Sequence, residues 1–260
     1  MTALRCSRIP YFSGVQDIAI ERLAEDRLKL TCRTGGKQRA FEAGHIGLHE
    51  GVIPEQHIAR SAGCAYRWDD VTLSFTPVRD RELESSVPGI FIAGDAGGTG
   101  GAMAAVAEGE IAAIAILRRL EKISPTAASR GYKQAERERA AHLAPRPLLD
   151  RLYRPTPSVA APADDAVICR CEEIGCREIR AAIAAGCDGP NQLKAFLRTG
   201  MGPCQGRLCG TTISMLIAAQ RKVSPDEAGF YTVRSPLSPV TVGELADLSE
   251  DSELPPDSTT

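Results

Sequence analysis

The sequence predicts an α/β unit with a β-meander, followed after a connector by a small all-α domain carrying four cysteines in two close pairs. Three observations lead there. Residues 17 to 50 alternate apolar and polar; a short apolar run ends in Gly94-Asp95 before a long Ala/Ile helix; and short helical stretches surround Cys169-x-Cys171 and Cys204-x4-Cys209. The expected boundaries are 1–122 for the α/β unit, 123–166 for a helical and Pro-rich connector, 167–222 for the cysteine domain and 223–260 for an extension with an acidic tail.

The meander rests on Ala19 to Leu23, Leu28 to Cys32 and Gln38 to Phe41, with Gly35-Gly36 as the turn between the last two. His45 to Leu48 reads as a further strand. Pro54 to Arg60 suits a short helix with proline in its first turn, ending by Gly63. Tyr66 to Trp68 and Val71 to Phe75 read as extended, and Gly89 to Asp95 has the nearly all-apolar character of a buried parallel strand. The helix from Ala102 to Leu120 is apolar around much of its circumference, which predicts that most of it packs inside.

Pro145, Pro147, Pro155, Pro157 and Pro162 mark residues 142 to 166 as a connector. Three short helices follow: Cys176 to Ala185, stopped by Gly186; Pro190 to Arg198, stopped by Gly200; and Cys204 to about Gln220. From Pro236 onward the chain is rich in Pro, Ser, Asp and Glu, and its last dozen residues are expected to be disordered.

The 260 residues are 43% hydrophobic, enough for a packed core, and the net charge of −2 supplies no basic field for nucleic acid or an anionic membrane. The opening MTALRCSRIPYFSGVQD has no apolar stretch of signal-peptide length, and no segment reaches the length of a transmembrane span, so a cytoplasmic protein is expected. Nine cysteines in such a chain argue for metal or cluster ligation by a subset rather than for disulfides. Cys6, Cys32, Cys64, Cys176 and Cys187 are scattered and read as packing or surface residues.

The remaining four, Cys169, Cys171, Cys204 and Cys209, have ligand-like spacing, with thirty-two residues between the pairs. A 2Fe-2S cluster needs two thiolates per iron and close wrapping by the chain, which suits two near-neighbour pairs. A structural zinc uses the same four thiolates, usually with gaps of about two to four residues. Ordinary buried thiols are the third alternative.

A strand, Gly94-Asp95, a glycine-rich turn and a helix also form a cofactor-binding pattern. The carboxylate can accept a hydrogen bond from a ribityl hydroxyl, and free N–H groups at the helix start can meet a pyrophosphate or flavin carbonyl. Gly97, Gly98, Gly100 and Gly101 would let a cofactor approach the backbone. The alternative is that Gly94-Asp95 merely closes the turn and caps the helix.

The stretch GIFIAGDAGGTGGAMAAVAEGEIAA resembles the C-terminal FAD-contact motif of two-dinucleotide-domain flavoproteins related to the disulfide reductases. That resemblance implies a partial flavoprotein fold over about residues 15 to 120, with Asp95 on the ribityl chain. VICRCEEIGCREIRAAIAAGCDGPNQLKAFLRTGMGPCQGRLCG is similar to bacterioferritin-associated-ferredoxin-like 2Fe-2S domains, in the version fused to FAD-dependent subunits. Such fusions include the A subunits of octopine and nopaline oxidases, one flavoprotein component of hydrogen cyanide synthase, and proline and hydroxyproline dehydrogenases. Residues 49–54 and 239–245 look like further pieces of that family.

One departure is large. The family's opening βαβ unit carries G-x-G-x-x-G, whereas here Gly98-x-Gly100 is followed by Met103 where the third glycine would fall. The resemblance is therefore to the family's C-terminal portion, as in a split subunit or a shortened product.

The resemblance implies FAD and a 2Fe-2S cluster as cofactors, with electrons passing from flavin through cluster to an acceptor the sequence does not identify. Implied partners are a second flavoprotein subunit carrying an amino-acid, imino-acid or opine site, and a separate chain supplying the missing dinucleotide-binding half. The competing reading is a ferredoxin-like module on a flavoprotein remnant that no longer binds FAD alone. Arg170, Arg207, Lys194 and Arg198 are candidates to offset the cluster's negative charge, or are ordinary solvated bases. Cys204 and Cys209 are expected at the positive start of the third helix, where negative sulfur is favoured. No catalytic residue is assigned, because His45, His49, His57 and His142 fall on different elements.

Overall fold

The computed structural model describes residues 9–49 and 51–247. The chain divides into two compact units, residues 1–49 and 50–260. Cys6 and residues 248–260, for which disorder is expected, lie outside the described residues.

The first unit is the expected meander. Strands β1 (Gln16–Ala24), β2 (Arg27–Thr34) and β3 (Lys37–Ala43) form an antiparallel sheet in sequence order, with Ile20 opposite Leu30 and Leu30 opposite Phe41. Gly35 and Gly36 have φ values of 55° and 74°, which a tight turn requires and a side chain resists. Phe12 lies 5.4 Å from the Phe41 ring, and Arg39 stacks over Phe12. His45 to Leu48 is not a strand; it follows the sheet as irregular chain.

In the second unit, helix α1 (His57–Ser61) begins later than its proline suggests, because Glu55 accepts the His57 N–H at 2.8 Å and sets the first turn there. Strands β4 (Tyr66–Asp69) and β5 (Ser74–Pro77) form a hairpin. Its second strand starts beyond the expected Val71, since Asp69 accepts the Val71 N–H at 2.8 Å and holds residues 70–73 in a turn.

The predicted buried parallel strand at 89–95 is absent. Residues 89–92 fold back on 83–85 through Ser85 N–H to Ile90 O (2.8 Å) and Ile92 N–H to Leu83 O (2.9 Å), and Gly94–Gly97 is one turn of 3₁₀ helix. A parallel strand requires neighbours running the same way, and every sheet among the described residues is antiparallel.

Helix α2 (Ala102–Arg119) matches the expected span but buries only one face, formed by Ala104, Ala107, Glu108, Ile111, Ala112 and Ala115. Met103, Val106 and Leu117 are exposed, so the expectation of a mostly buried helix is corrected. Helix α3 (Pro125–Leu143) packs along it, with Ala135 and Tyr132 against Ile111 and Leu83. Ser124 starts α3 by accepting the Ala127 N–H at 3.2 Å. The connector continues as α4 (Arg146–Leu152) and α5 (Pro157–Ala160).

The cysteine region is not wholly α-helical, because a short hairpin of β6 (Val167–Cys169) and β7 (Ile174–Gly175) opens it. Helices α6 (Cys176–Ala184), α7 (Pro190–Leu197) and α8 (Gly210–Arg221) follow, with α9 (Pro225–Ala228) and α10 (Val242–Ala246) beyond. Their core joins Cys176, Ile179, Ile183, Cys187, Leu193, Ile213 and Ile217. The expected third helix starts six residues late, at Gly210 rather than Cys204, because 202–209 is a run of turns with Gln205 and Gly206 at positive φ. The second helix, expected over Pro190 to Arg198, ends at Leu197, with the left-handed Arg198 as its C-cap.

An aromatic joint ties the β4–β5 hairpin to the chain after α8. The rings of Trp68, Phe75, Phe230 and Tyr231 follow one another at 5.1, 5.6 and 5.7 Å. Arg60 lies over Tyr66, Phe75 and Phe230, with its guanidinium carbon 4.1, 4.9 and 4.4 Å from the ring centres. Burial pushes its pKa down to about 10, so the cation remains charged at neutral pH. Arg60→Ala should therefore cost about 2 kcal/mol or more, read as a lower midpoint in urea unfolding, with Arg60→Lys recovering only part.

Candidate functional site

Cys169 ends β6, Cys171 sits in the turn that follows, and Cys204 and Cys209 bracket the turns before α8. The fold brings the four together. Cys171 lies close enough to Cys204, and Cys169 to Cys209, for each pair to interact electrostatically. The paired thiols thus come from opposite motifs, not from sequence neighbours.

Backbone N–H groups do much of the electrostatic work. Those of Gly206, Arg207 and Leu208 converge on Cys204 Sγ, and the Cys204 N–H points at Cys171 Sγ. Burial opposes ionisation of Cys204, yet these donors and the Cys171 thiol outweigh it and lower its pKa. At Cys171 the Cys204 amide acts to lower the pKa, but the neighbouring sulfur and burial win and the net shift is upward. Burial pushes Cys209 up to about 12.

Close approach depends on glycine. A Cβ on Gly202 would fall 2.2 Å from Cys171 Cβ. Cys209 caps α8 and is 1% exposed, whereas Cys204 stands five residues earlier in the turns, so only one expected ligand sits at the helix start.

Of the bases expected to offset charge, Arg170 is exposed and Arg198 pairs with Glu172 at 3.0 Å. Arg207 turns to Glu55 at 3.0 Å and to the carbonyl oxygen of Leu237 at 3.0 Å. Lys194 reaches the Tyr231 ring at 5.8 Å. The amides, invisible in a residue pattern, supply donors that those side chains do not.

The sequence reading also missed His57 and Tyr231. His57 is 2% exposed, with Nε2 2.8 Å from the Gln205 carbonyl between the two late cysteines. Tyr231 is 3% exposed, with its hydroxyl 4.0 Å from Cys209 Sγ. The spacing of Gly200, Gly206 and Gly210 was the available signal, since a Cβ at each would meet the Tyr231 ring at 2.8, 2.7 and 3.4 Å.

Among the described residues, no three His, Cys, Asp or Glu side chains are gathered as ligands of a single ion.

The glycine turn is built around a buried ion pair. Arg79 meets Glu108 through two contacts of 3.0 and 3.1 Å, and Glu108 also accepts the Gly94 N–H at 2.9 Å. A Cβ on Gly97 would lie 2.2 Å from Arg79, so Gly97 makes room for that guanidinium. Gly94, at φ 72°, likewise serves the turn itself.

Asp95 is exposed and does not cap α2, whose N-cap is Gly101. Beside Gly98 and Gly101 a Cβ would meet nothing within 4 Å. Gly97, Gly98 and Gly100 line a cleft of about 740 Å³ whose wall also carries Arg67, Arg79 and Arg81. Thr99 Oγ1 is buried there without a hydrogen-bond partner. Asp69, Asp80, Glu108 and Asp150 line the same cleft, so its charge is mixed.

The sarcosine oxidase A3 domain family matches residues 165–248, which include all four clustered cysteines. The opine oxidase A subunit of Rhizobium meliloti (strain 1021) is 49% identical over 95% of this chain and 53% of its own length. The chain belongs to the group that joins opine oxidase A subunits and hydrogen cyanide synthase subunit HcnB.

It spans about half the length of the curated members that it matches. Within the same group, hydrogen cyanide synthase subunit HcnB of Pseudomonas protegens is 31% identical over 78% of the chain and 43% of its own length. L-proline dehydrogenase from P. horikoshii shares the fold, with a TM-score of 0.63 at 18% identity, over 94% of this chain and 47% of that one. No helix among the described residues is long and apolar enough to cross a membrane.

Since Glu108 is nearly buried and satisfies both Arg79 and Gly94, Glu108→Ala should destabilise the second unit by about 3 kcal/mol in urea unfolding. The apolar double replacement Arg79→Leu with Glu108→Leu should recover a large part, because no charge is then left buried alone.

Proposed function

We propose that this chain is an electron-transferring iron–sulfur flavoprotein subunit of an amino-acid, imino-acid or opine dehydrogenase or oxidase. The observation that carries the reading is the convergence of Cys169, Cys171, Cys204 and Cys209, with amide N–H groups aimed at two of the sulfurs. Supporting it, the related proteins are named as oxidase, synthase or dehydrogenase components, several of them as subunits.

In this reading the four thiolates hold a 2Fe-2S cluster, which when bound supplies a one-electron redox centre. The cluster is anionic in both redox states, so its site needs donors. The Gly206, Arg207 and Leu208 amides favour the Cys204 thiolate, and the Cys204 amide acts in the same direction on Cys171, where the neighbouring sulfur and burial outweigh it. The α6–α8 core keeps the deeper pair, Cys169 and Cys209, out of water. Cys176 and Cys187 are spent in that core, Cys176 beneath the Arg180 guanidinium at 3.2 Å.

FAD, when bound here, would supply a two-electron carrier beside the one-electron cluster. Asp95 and the N–H groups from Gly98 to Gly101 would face its polar atoms, with Gly94 and Gly97 shaping the turn. The substrate site would lie on a second flavoprotein subunit, with a further chain completing the dinucleotide-binding half.

A second reading, a ferredoxin-like cluster module that does not retain FAD alone, is favoured by one observation: Asp95, Gly101 and Ala102 are exposed to solvent. Anaerobic purification followed by assays of iron, acid-labile sulfide and released flavin decides between the two. Cluster with flavin supports the first, cluster without flavin the second, and zinc without colour removes both. Cys204→Ser should abolish the visible cluster absorption, while Cys187→Ser should leave it intact; the reverse pattern would overturn the ligand assignment.

A further inference from the structure

Tyr231 is a large polar side chain that nothing in its surroundings requires to be polar for packing. Its ring occupies a slot made by Gly200, Gly206 and Gly210 and closed by the edge of Phe230. Phenylalanine would fill that slot equally well. The hydroxyl is nevertheless carried into a place where unsatisfied polar atoms are costly.

Two polar neighbours face it. Cys209 Sγ lies at 4.0 Å, and Cys209 is 1% exposed. Thr199, 0% exposed, has no hydrogen bond of normal geometry, but its hydroxyl is near enough to the phenol to influence it. A phenol has one proton to give and can accept as well. With Thr199 donating to the phenol oxygen, the Tyr231 proton is free for sulfur. The Lys194 ammonium over the ring, at 5.8 Å, adds positive charge on the same side.

We propose that Tyr231 is a positioning residue for the iron–sulfur centre: its O–H, backed by Thr199, donates to the Cys209 sulfur and thereby raises the reduction potential. This rests on the cluster assignment made above. A reduced cluster is the more negative state, so a donor to a ligand sulfur stabilises it more than the oxidised state. The effect is electrostatic and needs no proton transfer. The same ring touches the glycines on both sides of Cys204, so the residue that tunes one ligand also shapes the loop that carries the other.

The test is Tyr231→Phe in the full chain, purified without oxygen. Iron and sulfide content, the electron paramagnetic resonance of the reduced protein and the midpoint potential in a dye-mediated titration are compared with the parent. The expected result is unchanged iron and sulfide, altered g values and a more negative midpoint. A filled cluster with an unchanged midpoint overturns the role of Tyr231 while leaving the cluster assignment standing. If the parent protein itself holds no iron and sulfide, the assignment falls and this role with it. Should Tyr231→Phe fail to hold the cluster, Thr199→Val decides: a smaller shift in the same direction supports the role, and no shift overturns it.

Discussion

The cysteine region is arranged around four sulfurs brought close together, where crowding and burial decide how readily any of them carries negative charge. Burial alone works against it, as the elevated pKa of Cys209 shows. Relief comes from backbone N–H groups: those of Gly206, Arg207 and Leu208 act to lower the Cys204 pKa. They lie in the run of turns over 202–209, with positive φ at Gln205 and Gly206, and α8 begins at Gly210.

The loop is in turn held from outside by the segment around α1 and the β4–β5 hairpin. His57 reaches the Gln205 carbonyl, Glu55 holds Arg207, and Asp226 accepts the Trp68 N–H at 2.6 Å. The desolvated Arg60 cation bridges rings from both sides of the joint. These contacts explain two departures from the sequence reading together: Arg207 is drawn away from the sulfurs, and α1 starts where Glu55 can serve both His57 and Arg207. Burial raises the Glu55 carboxyl, but the His57 amide and Arg207 outweigh it, so the group stays ionised.

The glycine turn shows a similar division of labour. Gly94 and Gly97 answer to the Arg79–Glu108 pair beneath them, whereas Gly98 and Gly101 open outward to empty space. One glycine-rich motif thus contains both structural positions and positions available to a ligand. Glu108, buried one turn before Ile111 on an alanine-rich face, reads in sequence as an ordinary helix acid; its importance is visible only from what it holds.

Local patterning settled much on its own. The meander, the span of α2, the stop after α6, and the packing roles of Cys176 and Cys187 follow from alternation, a terminating glycine and helical spacing, all carried by near neighbours. The apparent parallel strand at 89–95 failed for the converse reason: an apolar run does not specify what it will pair with, and here it folds back on 83–85. Sequence identified the four cysteines as a set. Tertiary structure alone decided that Cys171 meets Cys204 and Cys169 meets Cys209, that amides rather than arginines attend the sulfurs, and that Tyr231 stands beside Cys209. Those are contacts between residues far apart in the chain, set by how a hairpin, three helices and a run of turns pack together, and no local spacing encodes them.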